Sequence, residues 1–217
     1  MNKKLFLGMF AAVGMLFATS CSNDELDRVQ SGNEAQVTFS LGLEGGIATR
    51  AISDGESADK LVCAVYDVNN NLLAQSVING EAVTNGQFVK DRAFANGLTD
   101  NVVATLAKGQ TYTIAFWAQS NDCDAYDTDD LTNVEIDYAG VNNDEDRDAF
   151  FATETFKVNG NATINVTLKR PFAQINVGVT TEDWDAAVGS GVKITESKVV
   201  IKNAANSIKL LAGSVAG

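Results

Sequence analysis

The sequence of 217 residues contains no histidine, and this absence excludes several kinds of active site. Without an imidazole group the chain can form no Ser-His or Cys-His nucleophile and no histidine-ligated metal centre. No glycine-rich phosphate loop precedes a helical segment. Paired carboxylates of the kind that glycosidases use do occur, but acids are so frequent here that such pairs arise by chance. The residue types therefore predict a protein that is not an enzyme and that carries no cofactor.

Basic residues are also scarce, because 16 Lys and Arg stand against 28 Asp and Glu, for a net charge of −12. Nucleic-acid binding needs clustered basic side chains that neutralise phosphates, so this balance argues against nucleic acid as a partner. It also argues against adhesion to an anionic membrane through basic residues. Such acidity favours solubility outside the cell.

Residues 1–20 have the pattern of a signal peptide. Lys3 and Lys4 precede an apolar run from residue 5 to residue 17, which is too short to span a bilayer. Small residues follow the run and lead directly to Cys21. We predict that Cys21 is lipidated and ties the mature protein to a membrane. The alternative is an ordinary secretory signal in which Cys21 has no role.

Residues 21–34 are polar and acidic, which predicts a flexible tether between the lipid and the folded part of the chain. An acidic segment directly after the lipidated cysteine also resembles the surface-export signal of Bacteroidetes lipoproteins. The alternative is a solvated linker with no signal function.

Once Cys21 carries a lipid, only Cys63 and Cys123 remain as thiols. An oxidising periplasm would allow them to pair. Cys63 lies in an apolar run, however, and Cys123 lies in an acidic segment. A buried free thiol at Cys63 is the better prediction, and the disulfide stays open as the alternative.

Short strands separated by Asn and Gly turns account for most of the remaining sequence. Residues 35–43 alternate apolar and polar side chains, which predicts a half-buried strand. Its inward residues would be Ala35, Val37, Phe39, Leu41 and Leu43. Residues 61–68 are apolar on both parities and predict a central strand, and residues 111–118 have the strongest strand composition. This pattern predicts an all-β fold, specifically a β-sandwich.

Several other segments carry expectations that the structure can check. Residues 72–77 are predicted to return from residues 61–68 as a hairpin. Residues 121–148 form a long acidic loop with short apolar patches. Residues 181–188 are a short helix or loop anchored by Trp184, and residues 192–202 are a further strand.

The break at Lys169 to Pro171 is the best domain boundary, because proline cannot donate to a strand ladder. We predict an N-terminal β-sandwich domain over residues 35–169 and the start of a second β-domain over residues 170–217. The second segment is too short for an independent sandwich. Either its strands complete the first domain or the second domain is incomplete, and we expect the latter.

Acidic and aromatic side chains supply the remaining candidates for binding. Asp144, Asp146 and Asp148 have the alternate spacing of calcium ligands, but the glycine and glutamate of an EF-hand loop are missing. We predict a solvated loop and no metal. Tyr126 and Tyr138 lie in the acidic loop and are expected to be exposed, where they could stack on a sugar, whereas Trp117 and Tyr112 are expected in the core.

Five features in this order resemble the fimbrillin-type (type V pilus) lipoproteins of Bacteroidales. These are the lipobox ending at Cys21, the strand at residues 35–43, Thr49-Arg50-Ala51, the segment KGQTYTIAFWA at residues 108–118 and the segment VTLKRPFAQI at residues 166–175. The chain is most similar to an uncharacterised branch of that group from gut Bacteroides.

The resemblance implies two transthyretin-like, Greek-key β-sandwich domains and an outer-membrane lipoprotein exposed at the cell surface or built into fimbriae. In stalk subunits of the family a trypsin-like protease cuts after an arginine that follows the first strand, and Arg50-Ala51 is at that place. A strand of a neighbouring subunit then fills the groove. Cleavage is not required of the family's anchor and tip subunits, so the resemblance leaves these roles open.

Two functions follow from these observations. The first is a non-catalytic structural subunit or anchor of surface fimbriae, whose partners are other fimbrial subunits joined by strand exchange and the outer membrane reached through the lipid. The alternative is a surface lipoprotein that binds host or dietary glycans. The strand of residues 35–43 is predicted to be a replaceable edge of the sandwich.

Overall fold

A computed structural model describes residues 32–44, 55–95, 97–140, 144–172, 178–193 and 198–216. Almost all regular structure in these residues is extended, and we number the strands in chain order. The strands are β1 (Glu34–Leu43), β2 (Lys60–Tyr66), β3 (Gln75–Ile78), β4 (Glu81–Thr84), β5 (Phe88–Asp91), β6 (Thr99–Ala107), β7 (Thr111–Gln119), β8 (Tyr126–Asp127), β9 (Val134–Ile136), β10 (Ala149–Lys157), β11 (Ala162–Leu168), β12 (Ser207–Lys209) and β13 (Ser214–Ala216).

The helical elements among these residues are a 3-10 turn at Glu145–Arg147 and the helix α1 at Thr181–Gly189. Three sheets result, with strand orders β11-β1-β6-β3-β4, β10-β7-β2-β5 and β13-β12-β9-β8. We call them the first, second and third sheets. The all-β sandwich predicted from the sequence is confirmed. No helix in the described ranges has both the length and the apolarity needed to cross a membrane.

The first and second sheets enclose the main core. On β1 the odd-numbered side chains are buried and the even-numbered ones are not, as the alternation predicts. Phe39 is completely buried and contacts Phe116 of β7 and Phe156 of β10 edge-on, with ring centroids 5.4 and 5.2 Å apart. These contacts join the two sheets through one aromatic cluster.

The second sheet is covered on both faces, which explains why β2 and β7 are apolar on both parities. Cys63 and Phe116 face the main core. Val62 and Trp117 face the other way, into a second core that the third sheet closes. The prediction of a central, doubly covered strand is therefore confirmed for residues 61–66, whereas Val68 lies beyond the strand and is 72% exposed.

The third sheet corrects the expectation of one long acidic loop over residues 121–148. β8 and β9 lie within this stretch, and Leu131, Val134 and Ile136 are buried against the second sheet. Acidic side chains cap the turns between these short strands, as when the Asp130 carboxylate accepts from the Thr132 backbone N–H at 2.8 Å. The apolar patches are the core of the segment, and part of its acidity shapes the backbone.

The predicted hairpin of residues 61–68 and 72–77 is wrong. Leu72 makes an isolated bridge with Tyr66, but the chain then crosses to the first sheet, where β3 pairs with β6 and β4. The turn itself is tight, because the Asp67 carboxylate accepts from the backbone N–H groups of Asn69 and Asn71. The local turn was predictable, whereas the change of sheet depends on distant packing.

The segment after Pro171 is only partly joined to the sandwich. Helix α1 has no buried residue, and Trp184 is 43% exposed, so Trp184 is not the predicted anchor. Residues 198–202 form no strand, and residues 194–197 of that predicted strand lie outside the described residues. Among the residues that the structure describes, 199–201 pair with no strand, and an extended segment without a ladder gains little.

β12 behaves differently, because it pairs with β9 and buries Ile208 against the second sheet. Part of residues 170–217 therefore packs on the preceding domain. The division into a tether (21–34), a first domain (35–169) and a second domain (170–217) stays a prediction, although β1 already begins at Glu34.

Candidate strand-exchange site around β1

β1 lies between two strands of the first sheet. It pairs with β11 in parallel, from Val37 opposite Ala162 to Leu43 opposite Leu168. On its other side it pairs with β6 in antiparallel orientation over nearly its whole length. The expectation of an edge strand is therefore wrong, because both sides of β1 are paired. Its removal would open a gap inside the sheet and would separate β11 from β6.

The floor of this gap is apolar. The five inward side chains of β1 are nearly inaccessible to solvent: Ala35, Val37, Phe39, Leu41 and Leu43. Burial of a Val, Leu or Phe side chain contributes roughly 1.5–3 kcal/mol to folding, so β1 is held by side chains as well as by its ladder. The structure thus places all five predicted residues together in one groove.

The C-terminal end of β1 is held by backbone bonds on both sides. The N–H of Leu43 donates to the carbonyl of Leu98, and the N–H of Glu44 donates to the carbonyl of Leu168, each at 2.8 Å. Glu44 is the last described residue before the segment that contains Arg50 and Ala51. The strand is therefore paired up to the start of that segment.

A side-chain cluster reinforces the same end of the strand. The guanidinium of Arg170 donates to both carboxylate oxygens of Asp148 at 2.8 Å and lies 4.5 Å from the ring centroid of Phe150. It also reaches the carbonyl of Glu44 at 3.4 Å. Gly55, with φ of +87°, meets the ring of Phe150 so closely that a Cβ atom would stand 3.0 Å from it. Glu44 and Gly55, the described residues on either side of positions 45–54, therefore both contact the cluster formed by Arg170, Asp148 and Phe150.

The predicted processing and lipidation sites cannot be placed in this geometry. Arg50, Ala51 and Cys21 lie outside the described residues. Their roles stay predictions.

Two of the three aspartates considered for calcium, Asp144 and Asp148, have carboxylates that are engaged within the protein. Asp148 binds Arg170, and the carboxylate of Asp144 accepts from the backbone N–H of Asp146 at 3.1 Å. Among the described residues, no three Cys, Asp or Glu side chains are grouped closely enough to hold a metal ion. The arrangement of Asp144, Asp146 and Asp148 therefore gives no support to a calcium site.

The aromatic residues considered for sugar stacking divide into two groups. Tyr126 packs on Trp117, stacks on Phe172 with ring centroids 5.8 Å apart, and donates its hydroxyl to the carbonyl of Arg147. Burial raises the pKa of Tyr126. The expectation that Tyr126 is exposed is wrong, since Phe172 covers its ring. Tyr138 is 42% exposed, as predicted.

Cys63 and Cys123 are both free thiols in the structure. Cys63 is completely buried, and burial raises its pKa to about 12, so the thiolate that would react is strongly disfavoured. Cys123 is partly exposed. The prediction of a buried free thiol at Cys63 is confirmed.

The outer face of the first sheet is open to solvent, unlike both faces of the second sheet. Its centre is formed by outward residues of β11, β1 and β6 that lie side by side in rows. The rows are Thr163, Thr38 and Val103; Asn165, Ser40 and Asn101; and Thr167, Gly42 and Thr99. We call these nine residues the neutral face, because none is charged. The alternation of β1 predicts polar residues on its outward side. It does not predict that β6 and β11 place further uncharged residues beside them.

These observations define a class of protein: an all-β sandwich whose first described strand fills a groove between two others. Residues 28–217 match the model of a family of unknown function, DUF6562, and the chain belongs to that family. No curated protein matches the chain.

Several solved structures are similar at low identity. One is a Bacteroides thetaiotaomicron DUF1812 protein, described as a candidate polysaccharide-binding protein, with 14% identity and a TM-score of 0.40. Another is a fimbrial assembly protein from Parabacteroides distasonis, with 13% identity and a TM-score of 0.27. A pilus-presented adhesin, Spy0125 (Cpa), has 11% identity and a TM-score of 0.29.

The chain spans about half the length, or less, of these three proteins. The matches cover 63% of this chain in each case, and 47%, 52% and 27% of the Bacteroides, Parabacteroides and adhesin chains respectively. Similarity at this level is too low to transfer a function.

Proposed function

We propose that this protein is a non-catalytic structural subunit or anchor of surface fimbriae, held at the outer membrane by a lipid on Cys21 and joined to neighbouring subunits by strand exchange. The observation that carries the proposal is the place of β1, which is paired on both sides and buries five apolar side chains. Its partners would be other fimbrial subunits.

The physical reason is that removal of β1 would leave the groove with unpaired backbone groups and an exposed apolar floor. β11 and β6 would each expose a row of backbone donors and acceptors, and the floor lined by Phe116 and Phe156 would face water. Unpaired backbone groups are costly, and only another extended chain satisfies them and the apolar floor together. A strand from a second subunit with apolar residues at alternate positions meets both requirements.

The order of the sequence would allow such an exchange without breaking the pairs of the second sheet. β1 is the first strand of the described residues, and Arg50-Ala51 separates it in sequence from β2. A cut between Arg50 and Ala51 would therefore free β1 from every later strand. The pairs that hold the second sheet would remain on the other product.

Limited trypsin digestion of the folded, full-length chain tests the processing step. The stalk version predicts rapid cleavage after Arg50 and a product that begins at Ala51, identified by N-terminal sequencing. Arg92, which is exposed in a turn with φ of +55°, is an internal control for ordinary trypsin sites. If Arg92 is cut while Arg50 resists, the stalk version fails and the anchor version remains. An Arg50→Gln variant should lose only the first cut.

Strand uptake by the cleaved protein tests the exchange itself. A labelled peptide of residues 34–44 should replace β1 after cleavage at Arg50, whereas the same peptide with Phe39→Asp should not. Equal binding of the two peptides would show that the apolar floor does not select the strand, and the proposal would then fail.

The glycan-binding alternative depended on two exposed tyrosines, and one of them is packed within the protein. Tyr126 is packed under Phe172, which leaves Tyr138 as the exposed tyrosine of the pair. The Tyr138 hydroxyl donates to the carbonyl of Ala205 at 2.7 Å, so its ring has a fixed position. A Tyr138→Ala variant that loses affinity for a polysaccharide would restore this alternative at that residue.

A further inference from the structure

The neutral face departs from the composition of the whole molecule. The chain carries 28 acidic and 16 basic residues, and soluble proteins usually place charges of both signs across their surfaces. The central rows across β11, β1 and β6 nevertheless carry hydroxyl, amide and small apolar groups without a single charge. The nearest outward charges along β1 are Glu34, at the first residue of the strand, and the exposed Glu44, directly after its last residue. A charge-free patch in so acidic a chain needs a physical reason.

The polar groups of this face are available for a ligand. Thr163, Asn165, Thr167 and Asn101 are exposed, and Ser40 is half-exposed between Asn165 and Asn101. In the described part of the chain, none of these side chains forms a hydrogen bond with another protein group, although the backbone N–H of Asn101 donates to the Asp100 carboxylate. Hydroxyl and amide groups both donate and accept, and neighbouring strands hold the members of each row about 4.8 Å apart. The strand register therefore sets the spacing of these donors and acceptors across the face.

A shallow depression of about 350 Å³ lies at one end of this array. It is lined by Gln36, Thr38, Asn161, Ala162 and Thr163, all of them uncharged. The side-chain oxygen of Asn161 accepts from the backbone N–H of Gln36 at 3.0 Å, which fixes one wall. The depression is open on the solvent side, so it suits part of a long ligand better than a small molecule that must be enclosed.

The chemistry of the face selects among ligand classes. Protein interfaces are enriched in aromatic residues, Met and Arg, and the neutral face has none of these. Anionic polymers would be repelled by the net charge of −12 and would find no basic group here. A chain of neutral, polyhydroxylated units matches the array, because each hydroxyl can both donate to and accept from the amides and hydroxyls.

We infer that the neutral face binds an uncharged polysaccharide, with the depression at Gln36 and Thr38 accepting one part of the sugar chain and the Asn165, Ser40 and Asn101 row accepting another. This site is separate from Tyr126 and Tyr138, which belong to the region of the third sheet. It depends on β1, because Gln36, Thr38 and Ser40 belong to that strand, so it is complete only while β1 is paired in the first sheet.

Affinity electrophoresis of the full-length chain tests this site. Native gels would contain laminarin, amylopectin or galactomannan as neutral probes, and hyaluronan or polygalacturonate as charged ones. We expect retardation by at least one neutral probe and by neither charged one. The inference would be overturned if no neutral probe retarded the protein. It would also be overturned if a charged probe retarded the protein as strongly as a neutral probe does.

Two variants localise the binding. Asn165→Ala combined with Asn101→Ala removes hydrogen-bonding groups on both sides of Ser40 and should weaken binding at least about tenfold. Ser214→Glu, an exposed strand position in the third sheet, is the matched control and should leave binding unchanged. Circular dichroism would verify that each variant is folded. Equal affinity of the double variant and the unmodified chain would place the ligand elsewhere and would overturn the inference.

Discussion

The first and second sheets of this protein differ in how many of their faces are covered. The second sheet has the main core on one side and the third sheet on the other, so β2 and β7 are apolar at nearly every position. The first sheet is covered on one side only, and β1 alternates strictly. Side-chain alternation along a strand of this protein therefore reports how many layers cover that strand.

The difference also separates two functions of the molecule. A strand that is covered on both faces cannot leave without breaking two cores. β1 is covered on one face, so its exchange needs only one apolar groove to be refilled. The open face of the same sheet is then free to meet a ligand.

Truncation of the central residue of β1 should have the largest effect. Phe39→Ala should lower the free energy of unfolding by roughly 3–5 kcal/mol, because it removes a fully buried ring that contacts both sheets. Thr38→Ala, one residue away on the open face, should change it by less than about 0.5 kcal/mol. Urea denaturation measures both, and similar values would show that β1 is not covered on one side only.

Truncation of a residue in the second core should have the next largest effect on stability. Ile208→Ala should cost roughly 2–4 kcal/mol, because Ile208 of β12 is buried against the second sheet. Val215→Ala in the adjacent β13 is the control, since Val215 is 62% exposed and its truncation should cost little. Thermal unfolding is the measurement. No effect of Ile208→Ala would show that the third sheet does not cover the second one in solution.

The ion pair at the end of β1 should have a smaller effect. Arg170→Ala should cost about 1–2 kcal/mol, because it leaves the well-buried Asp148 carboxylate without its partner and removes the contact with Phe150. Lys169→Ala is the exposed neighbour that serves as control. Hydrogen exchange at Leu43 and Glu44 should accelerate in the Arg170 variant alone; unchanged exchange would show that Arg170 does not hold this end.

The smallest effect concerns Cys63 and pH. Burial raises the pKa of Cys63 to about 12 in the folded chain, so the unfolded chain loses this proton first as pH rises above about 9. Folding stability should therefore fall between pH 8 and pH 10, by about 1 kcal/mol more than in a Cys63→Ala variant. Denaturation midpoints at the two pH values measure it. Parallel pH profiles would contradict the burial of the thiol.

Predictions from the sequence were confirmed for strands whose own pattern of apolar residues shows how many of their faces are buried. The period-two alternation of residues 35–43 and the doubly apolar run at residues 61–68 each predicted their own strand and its burial. They could not predict that β11 would pair with β1 in parallel, because the two strands are far apart in sequence and only tertiary packing brings them together. For that reason β1 was expected at an edge and lies inside the sheet.

Residues of the candidate sites could likewise be predicted when they lie in one stretch of sequence, but not when several strands contribute them. The five inward residues of β1 could be predicted, because they form one stretch of sequence. The neutral face could not, since its residues come from three strands whose register is set by long-range pairing. Tyr126 was expected on the surface because acidic residues surround it in sequence, but Phe172 covers it from a distant segment.

The central claim is that β1 can be replaced, and a reversible lock on β1 tests it most directly. The hydrogen bonds of Lys108 to Asn33 and of Leu43 to Leu98 make the odd pairs of β1 and β6 hydrogen-bonded ones. Thr38 and Val103 therefore form a non-hydrogen-bonded pair, in which side chains lie closer and two cysteines can be joined by a disulfide.

The measurement is uptake of the labelled 34–44 peptide by the Thr38→Cys, Val103→Cys chain after cleavage at Arg50. The account predicts no uptake while the disulfide holds β1 in place and full uptake after reduction. Equal uptake in the oxidised and reduced forms, or none in either form, would contradict it.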